Sequence, residues 1–297
     1  EAFARSPNHE VELYIADKQR NPFNAEKAAE HMVIPDLNTE EICKFAENNK
    51  GKIDFVIVGP EKPIIEGVRD LVEKRTGIPV ICPKQEYAIE VSKVQQRLLF
   101  QEIAPEANPC FKIFNPEDYK GTYEVKNAVY SWLDQLENKA VVKPDKPTAG
   151  KGVGVWGDHF TTREQLFDHF MSNFQYGTVI IEEKIDGEES SFQALCDGKH
   201  LTPLPGTRDY KRAFDGDKGP NTGGMGAYCP APVASNQVVR FVAEEFMTPI
   251  VKKMAADGTP YNGFMYAGMI RTKKGMRVIE FNIRFGDPEA QPAMMMI

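Results

Sequence analysis

No run of about 18 consecutive apolar residues occurs in this sequence, so no segment is long enough to cross a bilayer as a helix. The basic-then-apolar pattern of a signal peptide is missing at the N-terminus. The five cysteines, Cys43, Cys82, Cys110, Cys196 and Cys229, are odd in number and never form a C-x-x-C pair. That fits neither a disulfide framework nor a zinc site, and it reads as reduced thiols in a cytoplasmic protein. No basic cluster offsets the formal net charge of -7, which argues against a nucleic-acid or anionic-membrane partner. Internal repeats and low-complexity tracts are likewise lacking. What is left, 41% hydrophobic and 27% charged over 297 residues, suits about two folded domains.

Residues 11–16, 54–58 and 79–82 read as short strands, with helices expected at 39–48 and 65–76. Such alternation implies a parallel sheet. Glu40 and Glu41 fall in the first turn of the first of these helices, where acids suit the helix dipole. The strand at 54–58 empties into Gly59-Pro60-Glu61, the position where open α/β sheets place ligands, so Gly59 and Glu61 are candidate site residues. The chain begins in what reads as a helix. A helix at 92–103, followed by a proline-containing stretch to residue 109, puts a boundary near Glu90. Strands then follow at 111–114, 139–143, 153–156 and 178–182, with helices at 128–138 and 161–173. Thr161 and Glu164 offer a capping box for the second helix. Beyond Glu189 come further strands, interrupted at 208–232 by a polar, glycine-rich stretch whose length suggests function. Residues 266–271 and 276–282 read as a hairpin turning at 272–275.

Four constellations could carry chemistry. Lys143 precedes Thr148-Ala149-Gly150-Lys151-Gly152-Val153-Gly154-Val155, two lysines flanking a glycine-rich turn. This suits phosphate oxygens, although it is not a Walker A loop, and an ordinary glycine-rich hairpin explains it as well. The strand ending in Ile181-Glu182-Glu183-Lys184-Ile185 runs into Asp186-Gly187-Glu188-Glu189 and fits either a nucleotide's adenine and ribose or a solvated strand end. In Val278 to Arg284, strand alternation places Glu280, Asn282 and Arg284 on one face and Ile279, Phe281 and Ile283 on the other. Glu280 and Asn282 are hard oxygen ligands suited to Mg²⁺, and the acids in the following Phe285-Gly286-Asp287-Pro288-Glu289 favour that over a plain surface strand. Finally, Arg208 to Arg212 and the glycine-rich Gly219 to Tyr228 suit an anionic substrate approached closely by backbone.

Together these segments closely resemble the phosphoribosylamine-glycine ligases, a family of ATP-grasp enzymes. The resemblance rests on GPNTGGMGAY (Gly219 to Tyr228), EFNxRFGDPE (Glu280 to Glu289), AGKGV (Ala149 to Val153), IEE with DGEE (Ile181 to Glu189) and VGPExP (Val58 to Pro63), in order from about residue 10 onward. It implies an α/β fold: a Rossmann-like N-terminal domain at 1–91, then a two-lobed ATP-grasp fold. The large lobe would comprise 92–110 and 186–297, and the small lobe 111–185. It implies ATP and Mg²⁺ or Mn²⁺ as cofactors, and glycine and 5-phosphoribosylamine as small-molecule substrates joined through glycyl phosphate. Lys93, Lys143, Lys151, Gly152, Glu182, Glu183, Ile185 and Glu189 would hold the nucleotide, with Lys143 and Lys151 at its phosphates. Glu280 and Asn282 would ligate the metal. Arg284, Asp209 and Lys211 would act in the chemistry. The substrate pocket would add Gly59, Glu61, Arg212, Gly223, Gly224, Met225, Asp287 and Glu289. No covalent protein nucleophile is required, because phosphoryl transfer of this kind runs on positioning and electrostatics.

Two places depart from the family pattern: Tyr210 stands where a histidine is expected, and Pro144-Asp145-Lys146-Pro147-Thr148 replaces a smaller alanine- and glycine-rich run. The family also has a first strand with a glycine-rich loop ahead of the position of Glu1, and a further domain beyond Ile297, so the sequence reads as a fragment. Two alternatives stand beside the ligase: another carboxylate-amine ligase of the same superfamily, and a non-catalytic nucleotide-binding module. Oligomeric state leaves no mark in the sequence.

Overall fold

A computed structural model describes residues 3–146, 152–216 and 218–297. Its first part holds two separate parallel ladders, Leu13–Asp17 with Ala28–Val33 and Val56–Ile57 with Val80–Ile81. The Ala28–Val33 strand has no β-branched run to announce it; its sequence, AAEHMV, reads as helix or loop. The helix expected at the start of the chain is absent from the described residues there: Ser6 N–H closes a turn on the Phe3 carbonyl, and Pro7 disfavours helical backbone just before it. Thr39–Asn48 forms as expected, but its cap is Asn38, whose side chain accepts from the N–H groups of Glu40 and Glu41. The helix expected at 65–76 is two helices, Glu61–Ile65 and Val68–Thr76. They are broken at Gly67, whose φ of 83° is open to glycine at little cost.

A four-stranded antiparallel sheet follows, in the order Phe111–Phe114, Val179–Glu183, Ala140–Pro144, Gly154–Val155. Helices Thr122–Gln135 and Arg163–Phe174 close a core on it around Phe114, Val142, Phe170 and Ile181. The capping box sits one residue later than expected, at Thr162 and Gln165, because the Gln165 amide oxygen accepts from the N–H groups of both Thr161 and Thr162. Gly154 lies so close to Phe160 and His169 that a Cβ would come within 2.7 Å of both. The end of the glycine-rich turn is therefore pressed against the Arg163–Phe174 helix.

The second four-stranded antiparallel sheet runs Leu201–Pro203, Glu188–Asp197, Asn262–Thr272, Gly275–Asn282. Its core is continuous with that of the N-terminal ladders, joining Cys43, Ile64 and Val72 to Phe192, Met265 and Phe281, whereas the first sheet has a core of its own. The stretch at 208–232 is not a structureless loop. It holds two short antiparallel ladders, Arg208–Asp209 with Ala227–Tyr228 and Arg212–Phe214 with Lys218–Asn221, which pair its backbone groups locally. Helix Lys93–Ile103 runs between the two sheets, its Phe100 ring 4.9 Å from that of Phe281.

Candidate active site

The hairpin Asn262–Thr272 and Gly275–Asn282 positions Glu280 and Asn282 where the two sheets meet through Lys143 and the Ile279 carbonyl. Its pairing slips between Gly268 and Met269, so Ile279 is an extra residue without a partner. That bulge corrects the simple alternation expected here. Val278, Phe281 and Ile283 enter the core, Ile279 is half-buried, and the strand ends at Asn282 before Arg284. Glu280 and Asn282 still share a side, with Asn282 Nδ2 3.5 Å from Glu280 Oε1. Burial opposes ionisation of Glu280, but Lys211, Lys143 and Lys93 outweigh it and hold its carboxyl below the usual range.

Those three lysines come from three different elements. Lys93 opens its helix, whose first turn is capped by Ser92 Oγ on Gln95 N–H. Asp145, in the segment that departs from the family pattern, accepts from Ser92 Oγ at 2.7 Å and Val94 N–H at 2.9 Å, tying the first sheet to that helix. Lys93 Nζ reaches the Lys146 carbonyl at 3.4 Å. Lys143, at the end of the Ala140–Pro144 strand, is buried and donates to Glu182 Oε2 at 2.7 Å. Burial lowers the pKa of both Lys93 and Lys143. Lys211 behaves oppositely: burial lowers its pKa, but Tyr266, Glu280, Asp209 and Glu189 together raise it. Its Nζ lies 3.8 Å from Asp209 Oδ2. The Asp209 carboxyl is itself raised by burial despite Lys211.

Glu182 and Glu183, adjacent on Val179–Glu183, serve opposite sides of the sheet. Glu182 is buried, bonded to Arg97 and Lys143. Burial opposes its charge, yet these two cations hold its pKa down at about 2. Glu183 accepts from Arg277 and from the Cys110 N–H. Ile185 is half-buried in the link to the second sheet, and Glu189 is exposed at the start of Glu188–Asp197. Gly152 is buried, with its carbonyl 3.0 Å from His169 Nε2. Lys151 lies outside the described residues.

At the other end of the site Arg284 Nε is 3.1 Å from Glu61 Oε2, bringing the N-terminal part against the second sheet. Gly59 is exposed beside it in sequence, with open space where a Cβ would stand. Glu289 is 2% exposed and accepts from Tyr266 Oη at 2.8 Å and Ser191 Oγ at 3.1 Å, so it braces the sheet beneath the site. Asp287 is exposed and bonded to Gln291. Gly224, at φ 118°, would place a Cβ 2.5 Å from Pro288, which seats the glycine-rich loop on the Asp287-Pro288 turn. Gly223 faces open space, and Met225 is exposed with its N–H on the Tyr210 carbonyl. Arg212 points to the mouth, donating to Asp158 at 2.8 Å and to the Gly219 carbonyl at 2.8 Å.

The structure thus gathers Lys93, Lys143, Lys211, Glu280 and Asn282, with Arg284 and Glu61 adjoining, and leaves Glu183 and Asp287 on other contacts. Sequence reasoning missed Arg97, Gln96, Glu90 and Asp158. Arg97 alone left a trace: a cation three residues before Phe100 and seven before Ala104, on the side of the helix those residues bury. Open depressions of about 640 and 500 Å³ lie elsewhere, beside Asp70 and beside Phe241, and contain none of these residues.

Two antiparallel sheets joined through Lys143, Arg97, Glu182 and the Ile279 carbonyl, after an N-terminal α/β part, define an ATP-grasp protein. The fold is shared with D-alanine–D-alanine ligase of Bacillus anthracis, at a TM-score of 0.62 and 16% identity over 96% of this chain and 91% of that one. Family models are more specific: phosphoribosylglycinamide synthetase, N domain, matches residues 1–90, and its ATP-grasp (A) domain matches residues 112–290. The chain belongs to the phosphoribosylglycinamide synthetase family. It is 35% identical to phosphoribosylamine–glycine ligase of Methanocella arvoryzae over 100% of this chain and 66% of the relative. With that of Pseudomonas syringae the figures are 40%, 91% and 61%. The solved phosphoribosylamine–glycine ligase of Thermotoga maritima superposes with a TM-score of 0.71 at 25% identity, over 97% of this chain and 66% of that one. The chain therefore spans somewhat under two thirds of the length of these relatives.

Proposed function

We propose that this chain carries out ATP-dependent ligation of glycine to 5-phosphoribosylamine, giving glycinamide ribonucleotide, ADP and phosphate in the cytoplasm. The observation that carries the reading is the convergence of Lys93, Lys143 and Lys211 on the Glu280–Asn282 pair. A glycine carboxylate oxygen attacks the γ-phosphorus, and ADP leaves. The amine nitrogen of the sugar phosphate then attacks the acyl carbon of glycyl phosphate, and phosphate departs as the nitrogen loses a proton. Lys93 and Lys143 offset phosphate charge, with Lys151 assigned beside them from sequence. Lys211, Arg284 and Asp209 orient the reacting groups, and Glu189 and Ile185 border the adenosine.

Among the described residues no cluster of three or more His, Cys, Asp or Glu side chains could hold a metal by itself. Glu280 and Asn282 instead suit Mg²⁺ or Mn²⁺, ions that keep one or two protein ligands and take the rest from phosphate and water. Such an ion would supply charge neutralisation on the phosphates. No described helix is long and apolar enough to cross a membrane, and the net charge of -7 disfavours nucleic acid.

The test is ADP release by the purified chain with Mg-ATP and fresh 5-phosphoribosylamine, comparing glycine, alanine and no amino acid, with the product weighed by mass spectrometry. Glycine-dependent ADP with a glycinamide ribonucleotide mass is expected, and Glu280→Gln should lower the rate at least about 100-fold. ATP binding without product would instead support a nucleotide-binding module, and turnover with alanine a different ligase.

A further inference from the structure

Arg97 sits in the middle of the Lys93–Ile103 helix and is 2% exposed. A guanidinium does not deprotonate in a protein, so its charge needs a buried partner. Glu182 provides one in bidentate geometry, with Nε 2.6 Å from Oε1 and Nη2 2.9 Å from Oε2. Lys143 adds a second cation, its Nζ 2.7 Å from Oε2. Both cations also donate to the Ile279 carbonyl exposed by the bulge. Three buried side chains therefore hold two positive charges and one negative. Arg97 Nη1 is buried and has no hydrogen-bond partner, so the guanidinium has donors to spare after satisfying Glu182.

The two cations are not equivalent. Arg97 engages both oxygens of Glu182, whereas Lys143 engages one. Were Lys143 the sole counter-ion, moving it toward a phosphate would strand a buried carboxylate, a strongly unfavourable state. We propose that Arg97 is a positioning residue that neutralises Glu182 permanently and so releases Lys143 to an anionic ligand. The triad's surplus charge is then presented to a polyphosphate without an exposed carboxylate beside it. Glu280 and Lys93 also act on Lys143, with opposite signs. The inference rests on the nucleotide reading of the site given above.

The experiment is calorimetric titration of the full chain with Mg-ATP and, separately, with adenosine, which carries no phosphate. Arg97→Met should weaken ATP at least about tenfold while adenosine changes less than about threefold, and Arg97→Lys should restore ATP to within about threefold of the parent. Because Arg97 bears on ATP through Glu182, its bond to the Ile279 carbonyl holding backbone only, adding Arg97→Met to Glu182→Gln should change ATP affinity by less than about threefold. That pair removes one positive and one negative charge together and leaves Lys143 as the one cation of the triad, so it decides the matter if Arg97→Met alone does not fold. Equal ATP binding by parent and Arg97→Met overturns the inference and leaves the nucleotide site standing. Parallel loss of ATP and adenosine, or a tenfold gap between the double variant and Glu182→Gln, overturns it in favour of a structural role. No ATP binding by the parent chain removes the nucleotide reading and the inference together.

Discussion

Burial pushes the Glu90 carboxyl up to about 7, although it accepts the Ile283 N–H at 2.9 Å and lies near Arg284. The free side chain titrates near 4.3, so between the two values the folded state holds more proton than the unfolded one. Stability from this group is present below the unfolded value and is lost as pH rises through 7. Glu90→Gln keeps an acceptor for Ile283 and removes the charge. Relative to the parent it should gain about 3 kcal/mol between pH ~4.5 and ~8, read by urea unfolding at both. A constant difference would show that Glu90 does not titrate in that window. In sequence Glu90 marks only a boundary, because a carboxylate's burial depends on which strands later close over it. Lys143, Glu280 and Asn282 were legible singly, since each lies within two residues of a strand's end; the lysines' convergence on Glu280 was not.

Gln96 does for the Gly275–Asn282 strand what a neighbouring strand would do, donating to the Phe281 carbonyl and accepting its N–H, both at 3.0 Å. Its side chain thereby fixes the backbone between Glu280 and Asn282. Replacing Gln96 with Leu leaves two buried backbone groups unpaired, and the expected cost is about 2–4 kcal/mol in urea unfolding. Loss of under about 0.5 kcal/mol would mean that water replaces the amide. At this scale the sequence was most informative where elements are local. The strands of the first sheet, the Thr39–Asn48 helix and the 262–282 hairpin fell within a few residues of expectation. It was least informative at the bulge beside Ile279 and in the 208–232 stretch, where pairing partners far along the chain decide conformation.

Across the whole molecule, Asp158 on the first sheet's turn and Arg212 in the glycine-rich region join two parts 54 residues apart. Burial works against the Asp158 charge, but Arg212 and Lys184 keep its carboxyl below the usual range. The pair is partly exposed, so Asp158→Asn should cost less than about 1 kcal/mol in global stability. It should nonetheless speed amide hydrogen exchange at residues 212–221, whose attachment to the first sheet it weakens. Unchanged exchange there would show that the ladder holds itself. The sequence by itself determined the α/β class, most strands of the two antiparallel sheets and the family, because periodicity and motif spacing are properties of neighbouring residues. Tertiary structure alone decided that Arg97 neutralises Glu182, that Glu183 faces away, that Glu289 braces the sheet and that Arg212 spans the mouth. Those pairings join residues 23 to 98 positions apart, and charge partners at such separations are chosen by packing, which no local pattern encodes.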